Sequence, residues 1–117
     1  MELRLENGDY VPNGSGGMER GEGVQAVLNR VLFRLTARRG ALPFLPELGS
    51  GLYRLTREKP SARRAAAKQY VAQALEAEKQ VRVTDVELTD VEGGIQVTAY
   101  LLWQGQALSV STTVEGV

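Results

Sequence analysis

From Val24 onward the apolar residues return at helical spacing. Val24, Val27, Leu28, Val31, Leu32 and Leu35 mark one face, while Gln25, Asn29, Arg30 and Arg34 fall on the other. The pattern predicts an amphipathic helix that stops near Arg38–Arg39. Cations there suit the negative end of the helix dipole, and Gly40 accepts a left-handed cap at little steric cost. The next stretch, Leu42-Pro43-Phe44-Leu45-Pro46-Glu47-Leu48-Gly49-Ser50-Gly51-Leu52, is too rich in proline and glycine for a helix. It is also too apolar for a solvated loop. That mixture predicts a strap held extended by its prolines and pressed onto the core.

The pattern predicts a short turn or strand over Gly51–Thr56, ended by Lys59-Pro60. Ser61 reads as the N-cap of a second helix running from about Ala62 to Glu78. Its stripe is Ala67, Tyr70, Val71, Ala74 and Leu75, and its many alanines favour helix. Beyond it the period changes to two. Val81 and Val83 alternate, and Val86 and Leu88 alternate on shifted parity. A bulge near Thr84–Asp85 would turn all four inward. After a turn at Glu92-Gly93-Gly94, a long strand places Ile95, Val97, Ala99, Leu101 and Trp103 on one face. Gln104-Gly105-Gln106 turns the chain again, and Leu108, Val110, Thr112 and Val114 define a third strand.

Ahead of the first helix, Leu3 and Leu5 alternate with charged residues, and Asn7-Gly8 signals a hairpin returning through Tyr10-Val11. Pro12 to Gly23 is glycine-rich and reads as a flexible link. It lacks the GK[ST] ending of a phosphate cradle. The predicted architecture is α+β, with two main helices packed on one face of a small antiparallel sheet. The sheet comprises a three-strand C-terminal meander with an N-terminal hairpin. Residues 1–23 form the hairpin and flexible arm, and residues 24–117 form the domain proper.

Composition narrows the function. A chain of 117 residues builds one modest core. Its formal net charge of zero creates no field drawing it to nucleic acid or anionic lipid. Without cysteine or histidine it has no disulfide, no thiol chemistry, no His-based triad and none of the commonest zinc sites. No apolar run reaches membrane-spanning length, and the N-terminus lacks the order of a signal peptide, so a soluble cytosolic protein is the expectation. The charge is unevenly spread. Arg54, Arg57, Lys59, Arg63, Arg64 and Lys68 oppose Glu58 alone in the middle, whereas acids dominate from Glu76 onward. A basic middle and an acidic end suit assembly with copies or partners of opposite pattern. Two solvated faces are the plainer alternative. Arg63, Arg64 and Lys68 lie near a helix N-terminus, where the dipole disfavours cations, and this marks them as an interface for an acidic partner.

Candidate chemistry is sparse. Ser50 sits in a small-residue turn like an exposed nucleophile but has no base beside it in the pattern. Glu47 and Glu78 are candidates for the acid/base couple of glycosidic cleavage, although a chain with fourteen acids offers many such pairs. Trp103 and Tyr100 are candidates for stacking on a base or a sugar, although strand spacing makes Trp103 a core or interface residue. Asp85, Glu87 and Asp90 alternate with apolar residues as a strand edge does, without calcium-loop spacing.

The order of elements and the block Leu35-Thr36-Ala37-Arg38-Arg39-Gly40 through Pro43, Pro46 and Gly49-Ser50-Gly51-Leu52 resemble a known family. It is the baseplate wedge family of contractile phage tails, the "lysozyme-like" group containing protein W, its T-even wedge counterpart and the TssE subunit of type VI secretion. The likeness covers roughly residues 21–114, and its sharpest part is T-x-R-x-G…P…P-x-x-G-S. It implies a structural, non-enzymatic subunit of a virion baseplate, made in the bacterial host cytoplasm. The implied partners are other wedge proteins and the tail sheath, and no cofactor, metal, nucleic acid or membrane is implied. The family's Glu-Pro-Arg triplet corresponds here to Glu78-Lys79-Gln80, so the glutamate is kept and the proline and arginine are not, with Arg82 a substitute cation nearby. Glu78, Arg82, Arg63, Arg64 and Lys68 are therefore the expected partner-binding residues, with self-association through a sheet edge as a further expectation. The alternative readings are a small peptidoglycan-cleaving enzyme and an unrelated α+β protein-binding module.

Overall fold

The computed structural model describes residues 3–6, 9–11 and 21–115, with side chains described from residue 23 onward. Strands β1 (Leu3–Glu6) and β2 (Asp9–Val11) precede helix α1 (Gly21–Thr36). Two 3-10 helices, Leu52–Arg57 and Pro60–Ala62, lead into α2 (Arg63–Ala74). Strands β3 (Val81–Val91), β4 (Gly94–Trp103) and β5 (Gln106–Glu115) complete the chain. This is the α+β fold expected, with the meander and the N-terminal hairpin joined in one five-stranded sheet of order β2-β1-β5-β4-β3. The hairpin enters the sheet by a parallel pairing of β1 with β5, while all other pairings are antiparallel. The Asn7-Gly8 turn and the glycine-rich link over 12–20 lie outside the described residues.

The core follows the apolar periodicity. Val27, Leu28, Val31 and Leu35 of α1 are buried with Ala67, Val71, Ala74 and Leu75 of the α2 segment, and Val24, Leu32 and Tyr70 pack at the margin. They meet one face of the sheet. Ile95, Val97, Ala99 and Leu101 are buried there beside Leu108, Val110 and Val114, their partners or neighbours in register. The register of β3 shifts between Val83 and Asp85, which is the bulge that the change of parity predicts. It lets Val83 pair with Leu101 and Val86 with Ala99 on the same face. At the β4–β5 hairpin, Gln104 (φ 51) and Gly105 (φ 76) both have positive φ, as a type I′ turn requires.

Several local expectations are corrected. Helix α1 begins at Gly21 and ends at Thr36, so Gly40 is not its cap. Instead Gly40 (φ 89) is the third residue of a turn closed by Ala41 N–H donating to the Arg38 carbonyl. The stretch Gly51–Thr56 is largely a 3-10 helix rather than a strand. Ser61 does not cap α2, which starts after Ala62 without a side-chain cap. Pro60 fixes φ and opens a 3-10 turn that absorbs Ser61. Helix α2 also stops at Ala74 rather than Glu78.

The largest correction concerns the Pro/Gly strap. Only its second half is pressed onto the core, with Gly49, Ser50, Gly51 and Leu52 buried. The first half is neither extended nor covered. Successive turns, Leu45 N–H to the Leu42 carbonyl and Leu48 N–H to the Leu45 carbonyl, curl it outward. Phe44 is 94% exposed and Leu45 55%.

Candidate functional site

The strap is a loop hung from a clamp. At its root Arg38 and Ser50 form a parallel bridge, with Ser50 N–H donating to the Ala37 carbonyl (2.9 Å) and Arg39 N–H to the Ser50 carbonyl (3.1 Å). The buried Ser50 hydroxyl donates to the Leu35 carbonyl at 2.6 Å and accepts from Leu52 N–H at 3.2 Å. It thereby satisfies an orphan carbonyl at the end of α1 and an amide at the start of the 3-10 helix. Ser50 is thus a structural hinge pin, with both functions of its hydroxyl engaged and no base beside it. Gly51 leaves room for the Tyr70 ring, which a Cβ there would meet at 2.8 Å. The Tyr70 hydroxyl donates to Glu58 at 2.7 Å, tying α2 to the 3-10 helix. What the clamp presents is the tip Leu42-Pro43-Phe44-Leu45-Pro46, with Leu42 at 39% exposure beside the more exposed Phe44 and Leu45. The prolines restrict the backbone, so docking there costs little ordering entropy.

Glu78 stands at the other conspicuous site. Arg30 and Arg34, one turn apart on the polar face of α1, both reach it. Arg30 lies 3.0 Å away through Nη2 with Nε also donating, and Arg34 Nε is at 2.8 Å. The Glu78 side chain is only 9% exposed. The hydrogen bonds from Arg30, aided by Arg34 and opposed by burial, hold its carboxyl below the ordinary value of 4.5. A carboxylate so held is the reverse of a general acid, whose pKa must be raised. Glu47 is exposed and lines a groove of about 400 Å³ with Arg34, Arg39, Glu76 and Lys79, a groove that Glu78 does not line.

The ion cluster carries a pH signature. A depressed folded-state pKa gives stability that is fully present above the unfolded value and is lost as pH falls through the folded one. Half-exposed Arg30 contributes less than a buried partner would. Glu78→Gln is expected to cost about 1–2 kcal/mol at neutral pH. The difference from the parent chain should close as pH falls below the ordinary carboxyl value of 4.5 and through the lowered value of the folded state. Urea midpoints measured across that range check it, and a gap that widens on acidification contradicts the assignment.

The remaining expected site residues are dispersed. Arg63 turns back to donate to the carbonyls of Thr56 and Glu58, both at 3.1 Å, so its cation sits at the negative end of the 3-10 helix. Arg64 and Lys68 converge on Asp85 at the β3 bulge, at 3.4 and 3.7 Å, with half or more of each side chain exposed. The backbone N–H of Val86, then the two cations, lower the Asp85 pKa. Their position near a helix N-terminus therefore has intrachain compensation. Arg82 is exposed near the start of β3, with its backbone paired to Leu102. The structure joins Arg64 with Lys68 and keeps Glu78, Arg63 and Arg82 at separate places.

Two features escape the sequence reading. Phe44 at the tip carries no periodic signal, although its flanking prolines mark a bend. The Tyr53 ring stacks with Arg38 at 4.7 Å and Arg54 at 5.3 Å, a cation–aromatic layer on the 3-10 helix. The partners of Glu78 did have a signal in the Arg30/Arg34 spacing of four. Among the described residues, no three acidic side chains converge to hold a metal ion, and no helix is long and apolar enough to cross a membrane. No protein-family model matches the chain, and no curated protein matches it either.

Proposed function

We propose that this chain is a structural, partner-binding subunit of the baseplate of a contractile tail, in a phage, a prophage or a tailocin, where it links wedge proteins and sheath. The observation that carries the reading is the clamped loop. The residues of the T-x-R-x-G…P…P-x-x-G-S block divide into a root that locks onto α1 and a rigid apolar tip held out in solvent. An exposed aromatic on a preorganised backbone is the kind of anchor that dominates binding energy at interfaces. Strand β3 adds a second docking element, since it lies at a sheet edge with a single described neighbour, β4. Such an edge joins a partner through main-chain hydrogen bonds. Glu78, tied to two arginines and kept ionised, supports a building block rather than a glycan-cleaving enzyme.

The gene neighbourhood tests this directly. Genes for tail tube, sheath and spike are expected beside the gene for this chain, and a neighbourhood free of contractile-tail genes overturns the assignment. The tip is tested separately. Phe44→Ala should leave stability within about 0.5 kcal/mol of the parent, because the side chain packs on little. Affinity for the co-expressed wedge partner should fall by roughly 30-fold or more, as read by calorimetry.

A further inference from the structure

A groove of about 1140 Å³ runs between the 3-10 helix Leu52–Arg57 and the far end of the meander. Its two walls carry opposite charge. Arg38 and Arg57 stand on the wall beside Tyr53, and Asp90 and Glu115 stand on the wall formed by the ends of β3 and β5. A fifth charged residue of the lining, Arg63, is committed to the carbonyls of Thr56 and Glu58, whereas these four are exposed and have no ion-pair partner among the described residues. Arg38 is held over the Tyr53 ring, so one cation of the pair is positioned in advance. Val91, 37% exposed, gives the acidic wall an apolar contact opposite the aromatic one.

A simple acidic segment does not fit this groove, because Asp90 and Glu115 would repel it, and a basic segment meets the same objection from Arg38 and Arg57. The occupant must carry both signs in the reverse order. A second copy turned about a twofold axis presents that order automatically, since in an isologous interface every contact occurs twice, once on either side of the axis. We infer that this groove is a self-docking face, on which two copies pair with Arg38 and Arg57 of each against Asp90 and Glu115 of the other. The 3-10 ridge with Tyr53 then lies towards the partner's Val91. The contact is independent of the baseplate reading.

Sedimentation equilibrium on the full chain tests it. The parent chain should show a monomer–dimer equilibrium that shifts towards monomer as salt is raised from about 0.05 to 0.5 M. Arg57→Glu and Asp90→Arg should each weaken dimerisation at least tenfold, with circular dichroism unchanged because both positions are exposed. The decisive sample is an equal mixture of the two variants. Under twofold pairing, Glu at 57 meets Arg at 90 on one side and the native Arg57 meets Asp90 on the other, so the mixture should regain the parent affinity as a heterodimer. A parent chain that stays monomeric up to about 1 mM overturns the inference. So does a mixture that remains as weak as its components.

Discussion

Gly49→Ala should destabilise the chain by about 3–5 kcal/mol, the sum of backbone strain and a disrupted buried hydrogen-bond site. Two independent penalties act at this position. The backbone has φ 104, a region that residues with a Cβ rarely adopt. The added Cβ would also lie 2.6 Å from the Ala37 carbonyl oxygen and 2.9 Å from the Arg39 nitrogen. These are main-chain atoms just beyond the end of α1 and cannot rotate away. Relief requires the root to lift from the helix, which breaks the bridge between Arg38 and Ser50 and leaves the Ser50 hydroxyl and the Leu35 carbonyl without each other. Thermal melting of the variant should show a loss of more than about 10 °C. A control isolates the cause. Gly40→Ala has positive φ too, but its Cβ meets nothing within 4 Å, so it should cost only about 1 kcal/mol.

Gly94→Ala is expected to cost about 3 kcal/mol through steric overlap alone. Its Cβ would sit 2.1 Å from the Val114 carbonyl oxygen and 3.0 Å from the carbonyl carbon. Gly94 opens β4 and pairs with Glu115, so the only escape is to peel this end of the ladder apart. The next pair inward is Ile95 with Val114, both buried, which sets how far the peeling can run before core contacts are lost. Hydrogen exchange should report faster amide exchange at this end of β4 and β5, with the opposite end near Leu101 and Leu108 retaining its protection. Uniform loss along both strands would indicate a different origin. The adjacent Gly93 has φ 86 and open space around its Cβ position, so Gly93→Asn should be well tolerated.

These two glycines show what sequence could and could not convey. Core positions were readable because burial on one face imposes its own period. The Val24 to Leu35 stripe and the Ile95 to Leu101 alternation are that imprint. Even the bulge was readable, because Val83 and Val86 can share a face only if one residue is skipped. The direction of the Pro/Gly strap was not. Apolar composition states that Leu42, Phe44 and Leu45 prefer to be covered, but it does not state by what. Burial of such a segment depends on whether the same chain has a neighbour to offer, and here the turns at Leu42–Leu45 and Leu45–Leu48 curl it away. The parallel pairing of β1 with β5 was equally hidden, since it joins the two ends of the chain through no local signal. At the site, the spacing of Arg30 and Arg34 advertised a paired cation on α1. Their carboxylate lies more than forty residues away, and no local rule selects Glu78 over the other acids. The dipole rule singles out Arg63, Arg64 and Lys68 as cations near a helix N-terminus, although Lys68 lies beyond the first turn of α2. The compensation by carbonyls and Asp85 became visible only in three dimensions.

The root of the loop closes upon itself through main-chain bonds between 37–39 and 50, which bracket the tip on both sides. Of the residues between those posts, Leu48 and Gly49 belong to the root, whereas 41–47 are all exposed and pack little on the domain beneath. The span from 41 to 47 is thus a natural graft site, open to new lengths and new residues. A different short sequence placed there would be displayed on the same clamp, with the core beneath it unchanged.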